Sequence, residues 1–270
     1  MTETELTRRA LVRAAIAGGA VVAAGVARST SAQTAQKTFV LVHGAACGGW
    51  IWRRVADRLE ARGCKVFAPT LTGLGERSHL LSKDVGLETH VADIVNVVRW
   101  ESLEGLCLVA HSYAGWPCGA ALDRIGDKVA SIVWLDAFLP EDGRKLDDLL
   151  AESSRAAIED AAARGELGMP TPARLSPSSV NRRDEAFVRA KLTPQPVATY
   201  AQPLRYAGGL GRVAKKTYVR VPGFANPVFD GAFAACKRDA SWSAVELVDS
   251  GHFAMFDAPE RLAELLSGAA

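Results

Sequence analysis

Short apolar runs alternate along this chain with stretches whose apolar residues recur every three or four positions. Thr38-Phe39-Val40-Leu41-Val42 reads as a buried strand, and 50–62 carries Ile51, Val55 and Leu59 at helical spacing. The pattern repeats: a strand over 64–68, a helix over 89–100, a strand over 106–110, a small-residue helix over 113–124 and a strand over 129–135. Strand–helix alternation of this kind predicts a mostly parallel sheet flanked by helices. It then breaks. Between 140 and 214 a helical stretch (145–164) leads into Met169-Pro170-Thr171-Pro172 and a mixed segment ending near Arg205. Alternation returns with strands over 216–221 and 244–248 and a closing helix over 259–266. A long interruption in such a sheet reads as a cap or lid over a site. The predicted division is therefore a core of 33–139 and 215–270 with a cap of 140–214.

The first 32 residues read as an address, not as fold. Thr7-Arg8-Arg9-Ala10-Leu11-Val12 has the twin-arginine form, 14–27 is weakly apolar, and Thr30-Ser31-Ala32 is a small-residue cleavage signal. A Tat-type signal peptide over 1–32 is predicted, with the mature chain starting near Gln33 in the periplasm or outside the cell. The apolar stretch is short of the about 20 residues that span a bilayer, so no stable membrane anchor is expected.

Composition narrows the class further. With 49% hydrophobic and 23% charged residues the chain is neither disordered nor fibrous, and a net charge of +2 offers no field for nucleic acid. The five cysteines lack metal-ligand spacing, so no metal is expected, and they fix no disulfide. A homodimer is compatible with the sequence.

The chemistry concentrates at strand ends. Ala110-His111-Ser112-Tyr113-Ala114-Gly115 joins a buried strand directly to a helix, the setting of a nucleophile elbow. The usual small residues two before and two after the serine are glycines; here they are Ala110 and Ala114, which keeps the steric reason. Such a turn lifts the Ser112 hydroxyl clear of the sheet and aims the Tyr113 N–H at a developing oxyanion. The second oxyanion donor belongs to the loop after the first strand, His43-Gly44-Ala45-Ala46, where Ala45 is the candidate and Gly44 permits close approach. His43 reads as a structural residue of that loop.

Serine needs a base, and Ser250-Gly251-His252-Phe253 places His252 between the last strand and the last helix, the chain order of this fold. The acid is less plainly written. The loop Val221-Pro222-Gly223-Phe224-Ala225-Asn226-Pro227 has no carboxylate before Asp230, whereas Asp136 ends the fourth strand and faces the same crevice as its parallel neighbours. Asp136 is favoured over Asp230, and Asp249 reads as a turn cap. Of the remaining histidines, His79 and His90 lie far from strand ends and His111 points away at the elbow. Gly44, Ala46, Phe138 and Phe253 are candidate substrate contacts. Leu192-Thr193-Pro194-Gln195-Pro196 and Tyr200-Ala201-Gln202-Pro203-Leu204 are candidate lining of the cap, with Trp52 nearby.

Together, His43-Gly44-Ala45-Ala46-Cys47-Gly48-Gly49-Trp50, Ala68-Pro69-Thr70-Leu71-Thr72-Gly73, the Ser112 elbow and Gly251-His252 resemble the bacterial branch of the plant methylesterase/hydroxynitrile lyase group of α/β-hydrolases. The resemblance runs from Thr38 to the C-terminus. It implies the α/β-hydrolase fold with a helical cap, no cofactor, and a serine carboxylesterase acting on small or aromatic esters. Two alternatives accompany it: a hydroxynitrile lyase-like enzyme, and a ligand-binding homologue with little turnover. The lyases of the group carry Thr after the loop His and Lys after the catalytic His; this chain has Gly44 and Phe253. A Phe cannot supply the positive charge that departing cyanide needs.

Overall fold

A computed structural model describes residues 36–270, which form one compact unit. The signal-peptide prediction lies outside the described residues. From β1 (Thr38–Val42) the chain passes a 3₁₀ turn and α1 (Arg53–Ala61) to β2 (Lys65–Phe67), then α2 (Leu87–Trp100), β3 (Leu106–His111), α3 (Gly115–Ile125) and β4 (Val129–Leu135). The insertion contributes α4 (Glu152–Ala163), β5 (Gly168–Met169), α5 (Glu185–Lys191), β6 (Gln195–Pro196) and α6 (Ala198–Ala201). The core resumes with β7 (Lys215–Arg220), α7 (Pro227–Arg238), β8 (Trp242–Glu246), α8 (Ala254–Asp257) and α9 (Pro259–Ala269).

Six strands form one parallel sheet in the order β2-β1-β3-β4-β7-β8. Alternating residues of its central strands feed two cores, because successive strand side chains point to opposite faces. Val40, Val42, Leu106, Leu108, Ala110, Ile132 and Trp134 meet α2, α3 and α7 through Val91, Ile94, Trp116, Leu122 and Phe229. Phe39, Leu41, Cys107, Val109, Val133 and Leu135 meet α1 and α9 through Val55, Leu59, Leu262 and Leu266. Every residue of β3 is buried, which is why it reads as an unbroken apolar run and not as an alternating one.

From β1 the chain moves outward to β2, then returns to place β3 on the other side of β1. The sheet therefore has its topological switch point between β1 and β3, where parallel α/β sheets open a crevice at their carboxyl ends. The loop after β1 and the elbow after β3 meet there.

The insertion carries three helices, α4, α5 and α6, and a ribbon beyond the helical stretch expected of it. Helix α4 covers only the later part of the predicted 145–164 stretch and follows a 3₁₀ turn at Asp147–Leu149. Strands β5 and β6, the latter ending in Pro196, then pair antiparallel, so part of the insertion is a two-stranded ribbon. Pairings two residues long carry no periodicity for sequence reading to detect. All five cysteines are free thiols.

Candidate active site

Ser112 follows β3 with φ 55°, the left-handed strain expected where a strand turns abruptly into a helix. Small neighbours permit that turn. A Cβ on Gly115 would lie 2.0 Å from the Phe138 carbonyl oxygen, and one on Gly44 would lie 2.9 Å from His111 Nδ1 and 3.0 Å from Ser112 Cβ. The backbone after β1 thus passes against the serine itself. Ala110 and Ala114 are fully buried beneath the turn.

His252 Nε2 lies 2.9 Å from Ser112 Oγ, and its Nδ1 lies 2.8 Å from Asp136 Oδ2. A carboxylate only accepts, so Nδ1 carries the proton and Nε2 presents its lone pair to the serine hydroxyl. Asp136 is completely buried at the end of β4 with φ 46°. Its other oxygen, Oδ1, accepts from Arg220 Nη1 at 2.6 Å and from the Val221 N–H at 3.0 Å. Asp230 does not reach the histidine. It pairs instead with Arg220 Nε at 2.8 Å and is 62% exposed.

Arg220 is the residue that sequence reading missed. Its side chain is 3% exposed and also donates to the Val221 and Phe224 carbonyls. Burial alone would lower its pKa, but Asp136 and Asp230 together hold it above the ordinary arginine value. The loop over 221–226, which holds no carboxylate, contributes an aromatic face. Phe224 stacks on the His252 ring with centroids 4.4 Å apart and planes 25° apart.

His111 packs against the same imidazole at 4.6 Å, and its Nε2–H donates to the His252 carbonyl at 3.0 Å. It points away from the serine, as expected, yet supports the candidate base from behind. Burial, then the nearby His252, holds His111 well below the usual histidine range, so it is neutral. His90 overturns its expected remoteness: its Nε2–H donates to the Thr72 carbonyl at 2.9 Å, and its Nδ1 accepts from the Tyr113 hydroxyl at 2.8 Å. The side chain next to the elbow serine is thus anchored to α2. His79 stays in the exposed 3₁₀ turn at Gly75–Leu80.

His43 ties its own loop. Nδ1–H donates to the Gly44 carbonyl at 2.8 Å, Nε2 accepts from the Leu71 N–H at 3.0 Å, and burial pulls its pKa down to about 4. Among the described residues the N–H groups of Ala45 and Tyr113 have no hydrogen-bond acceptor, whereas the Ala46 N–H donates to Gln195 Oε1 at 2.8 Å. Phe138 and Phe253 are almost fully buried. Phe138 packs on Phe229 and donates its N–H to the Ser112 carbonyl, while Phe253 packs on His111 and Phe256. Trp52, expected near the cap lining, is fully buried in the core beneath His111.

Asp249 is not the turn cap expected of it. Its side chain is 89% exposed and meets only Arg261, at 3.8 Å. The loop is held by Asp257, which accepts from the Gly251 N–H at 2.7 Å and from Asn181.

The sequence over residues 39–265 matches the model of the alpha/beta hydrolase family. The chain belongs to that family. It is 37% identical over 239 residues to a carbendazim hydrolyzing esterase of Nocardioides, an alignment covering 85% of this α/β-hydrolase and 98% of the relative. It is also 36% identical over 106 residues to salicylic acid-binding protein 2 of Nicotiana tabacum, there covering 39% of this chain and 41% of the plant protein. Among solved structures, an extracellular alpha/beta-hydrolase from a Paenibacillus species superposes with a TM-score of 0.72 at 21% identity, covering 87% of this chain and 99% of its own. A pyrethroid hydrolase from Sphingobium faniae superposes with a TM-score of 0.62 at 21% identity, covering 86% and 96%. These two likenesses concern the fold.

Proposed function

We propose that this α/β-hydrolase is a serine carboxylesterase that cleaves small or aromatic esters through an acyl-enzyme on Ser112. The observation that carries the reading is the unbroken chain Ser112 Oγ–His252–Asp136, with contacts of 2.9 and 2.8 Å. In the first half-reaction Ser112 Oγ bonds to the ester carbonyl carbon and its proton passes to His252 Nε2. The carbonyl oxygen becomes an oxyanion facing the Ala45 and Tyr113 N–H groups. Asp136 stabilises the imidazolium and holds the ring tautomer. His252 Nε2–H then protonates the leaving alcohol as the C–O bond breaks. In the second half, water gives a proton to His252, attacks the acyl carbon and releases the acid while Ser112 regains its proton.

The esterase of Nocardioides, aligned over nearly its whole length, supports ester-type substrates. The partial match to an Arabidopsis protein named a methylesterase, 35% identical over 108 residues, points the same way. Phe253 following His252 leaves the lyase alternative without its cation. The substrate is a small-molecule ester, with no cofactor in the cycle. Export through the twin-arginine segment belongs to the same proposal; N-terminal sequencing of secreted protein should begin near Gln33.

Hydrolysis of a panel of methyl, aryl and short p-nitrophenyl esters tests the reading. Turnover that disappears in Ser112→Ala supports it; turnover that persists in Ser112→Ala, or none with any ester, removes it.

A further inference from the structure

The loop beside Ser112 contains a residue whose own preferences oppose its conformation. Ala46 sits at φ 60°, a left-handed geometry disfavoured roughly tenfold for alanine because its Cβ crowds the following carbonyl. Something must hold it. Both of its peptide groups are tied to one short segment of the insertion. The Ala46 N–H donates to Gln195 Oε1 at 2.8 Å, and the Ala46 carbonyl accepts from the Thr193 N–H at 2.9 Å.

The tie is itself oriented. Gln195 is 2% exposed, and its Nε2 donates to Thr199 Oγ1 at 2.8 Å. Thr199 in turn donates its hydroxyl proton to the Pro196 carbonyl at 2.6 Å. With that proton committed, Thr199 Oγ1 only accepts, and the Ala46 N–H only donates. The Gln195 amide therefore fits one way round, with oxygen toward Ala46. Thr193 Oγ1 extends the staple to a second loop by accepting from the Gly75 N–H at 2.9 Å. A buried amide with both ends satisfied is costly to rearrange.

We propose that Gln195 is a positioning residue for the oxyanion hole: it holds Ala46 left-handed and thereby fixes the direction of the Ala45 N–H. The inference rests on the serine-esterase reading above. It makes this part of the cap a fixed wall of the reaction centre, in place of a lid that swings away between turnovers. Since a hydrogen-bond donor in that position gains most when the carbonyl oxygen carries full charge, disturbing it lowers kcat more than it weakens substrate binding.

The test uses Gln195→Ala, assayed with a short aryl ester and with an aryl trifluoromethyl ketone that adds to the serine and leaves an oxyanion. The expected result is a fall in kcat of roughly 10- to 100-fold, part of what losing a whole donor costs. KM should stay within about threefold, and ketone affinity should fall in parallel with kcat. Adding Ala46→Gly to Gln195→Ala should return about fivefold, because glycine takes φ 60° without the Cβ penalty. A rise in KM alone would make Gln195 a substrate contact and overturn the proposal. So would an unchanged kcat, or no recovery from Ala46→Gly. Hydrogen–deuterium exchange reads the staple without turnover: residues 44–48 should exchange faster in Gln195→Ala, and unchanged exchange overturns the proposal. If the parent protein neither turns over an ester nor binds the ketone, the esterase reading fails, while the exchange result still decides the staple.

Discussion

Asp136→Asn keeps the shape of a fully buried side chain and removes only its charge. Its consequence follows from counting donors. The carboxylate accepts from Arg220 and the Val221 N–H on Oδ1 and from His252 on Oδ2. An asparagine has one acceptor oxygen. Two donors, one of them a guanidinium, converge on the Oδ1 side, so the amide oxygen stays there and the NH₂ group turns to His252 Nδ1. That nitrogen must then accept, which moves the ring proton to Nε2. A serine facing an N–H has no base. Loss of the correct tautomer costs about 10⁴-fold in kcat in serine hydrolases, equivalent to about 5.5 kcal/mol of barrier. Asp230→Asn is the matched control: its side chain is largely exposed and pairs with Arg220, not His252, so kcat should fall less than about threefold, in line with the small worth of exposed ion pairs. The assay is steady-state hydrolysis of a p-nitrophenyl ester at neutral pH, with circular dichroism confirming that both variants fold. If Asp136→Asn keeps activity within tenfold of the parent, or Asp230→Asn loses as much, the reasoning is refuted.

Further outcomes follow from the same contacts. Arg220→Met leaves the buried Asp136 without its ion-pair partner and should cost about 3–5 kcal/mol of stability in urea unfolding; a loss under 1 kcal/mol would deny the pair that weight. Gly115→Ala drives a Cβ toward the Phe138 carbonyl and should destabilise the fold by about 1–3 kcal/mol, read as a lowered Tm. His43 and His90 are held neutral by burial, each lowered from 6.5 to about 4. The unfolded chain therefore binds more protons between those values, so stability is full above about pH 6.5 and declines as pH falls toward 4. Each histidine contributes on the order of 3 kcal/mol to that decline; equal urea midpoints at pH 7 and pH 4.5 would contradict it.

Which parts of this were legible in the sequence follows from range. The strands and flanking helices are local patterns, and the side chains that meet, Ser112, His252 and Asp136, are legible as candidates because each ends or follows a strand that feeds one crevice. Arg220 was not legible. A cation within a strand reads as a surface residue until two carboxylates from β4 and α7 are seen to meet it. His90 opens the predicted helix far from any strand end, and nothing local points to the Tyr113 hydroxyl 23 positions later. Gln195 and Ala46 are 149 residues apart, and a left-handed alanine leaves no mark in a one-letter code. The insertion was legible as a break in alternation, but its ribbon was not, because two strands of two residues each, one ending in Pro196, have neither length nor period.

The measurement closest to the central claim is the mass of the protein after reaction with a fluorophosphonate, followed by peptide mapping. One adduct per chain is expected, located on Ser112, with greatly slowed labelling in His252→Ala. An unmodified chain, or an adduct on any other residue, would contradict it.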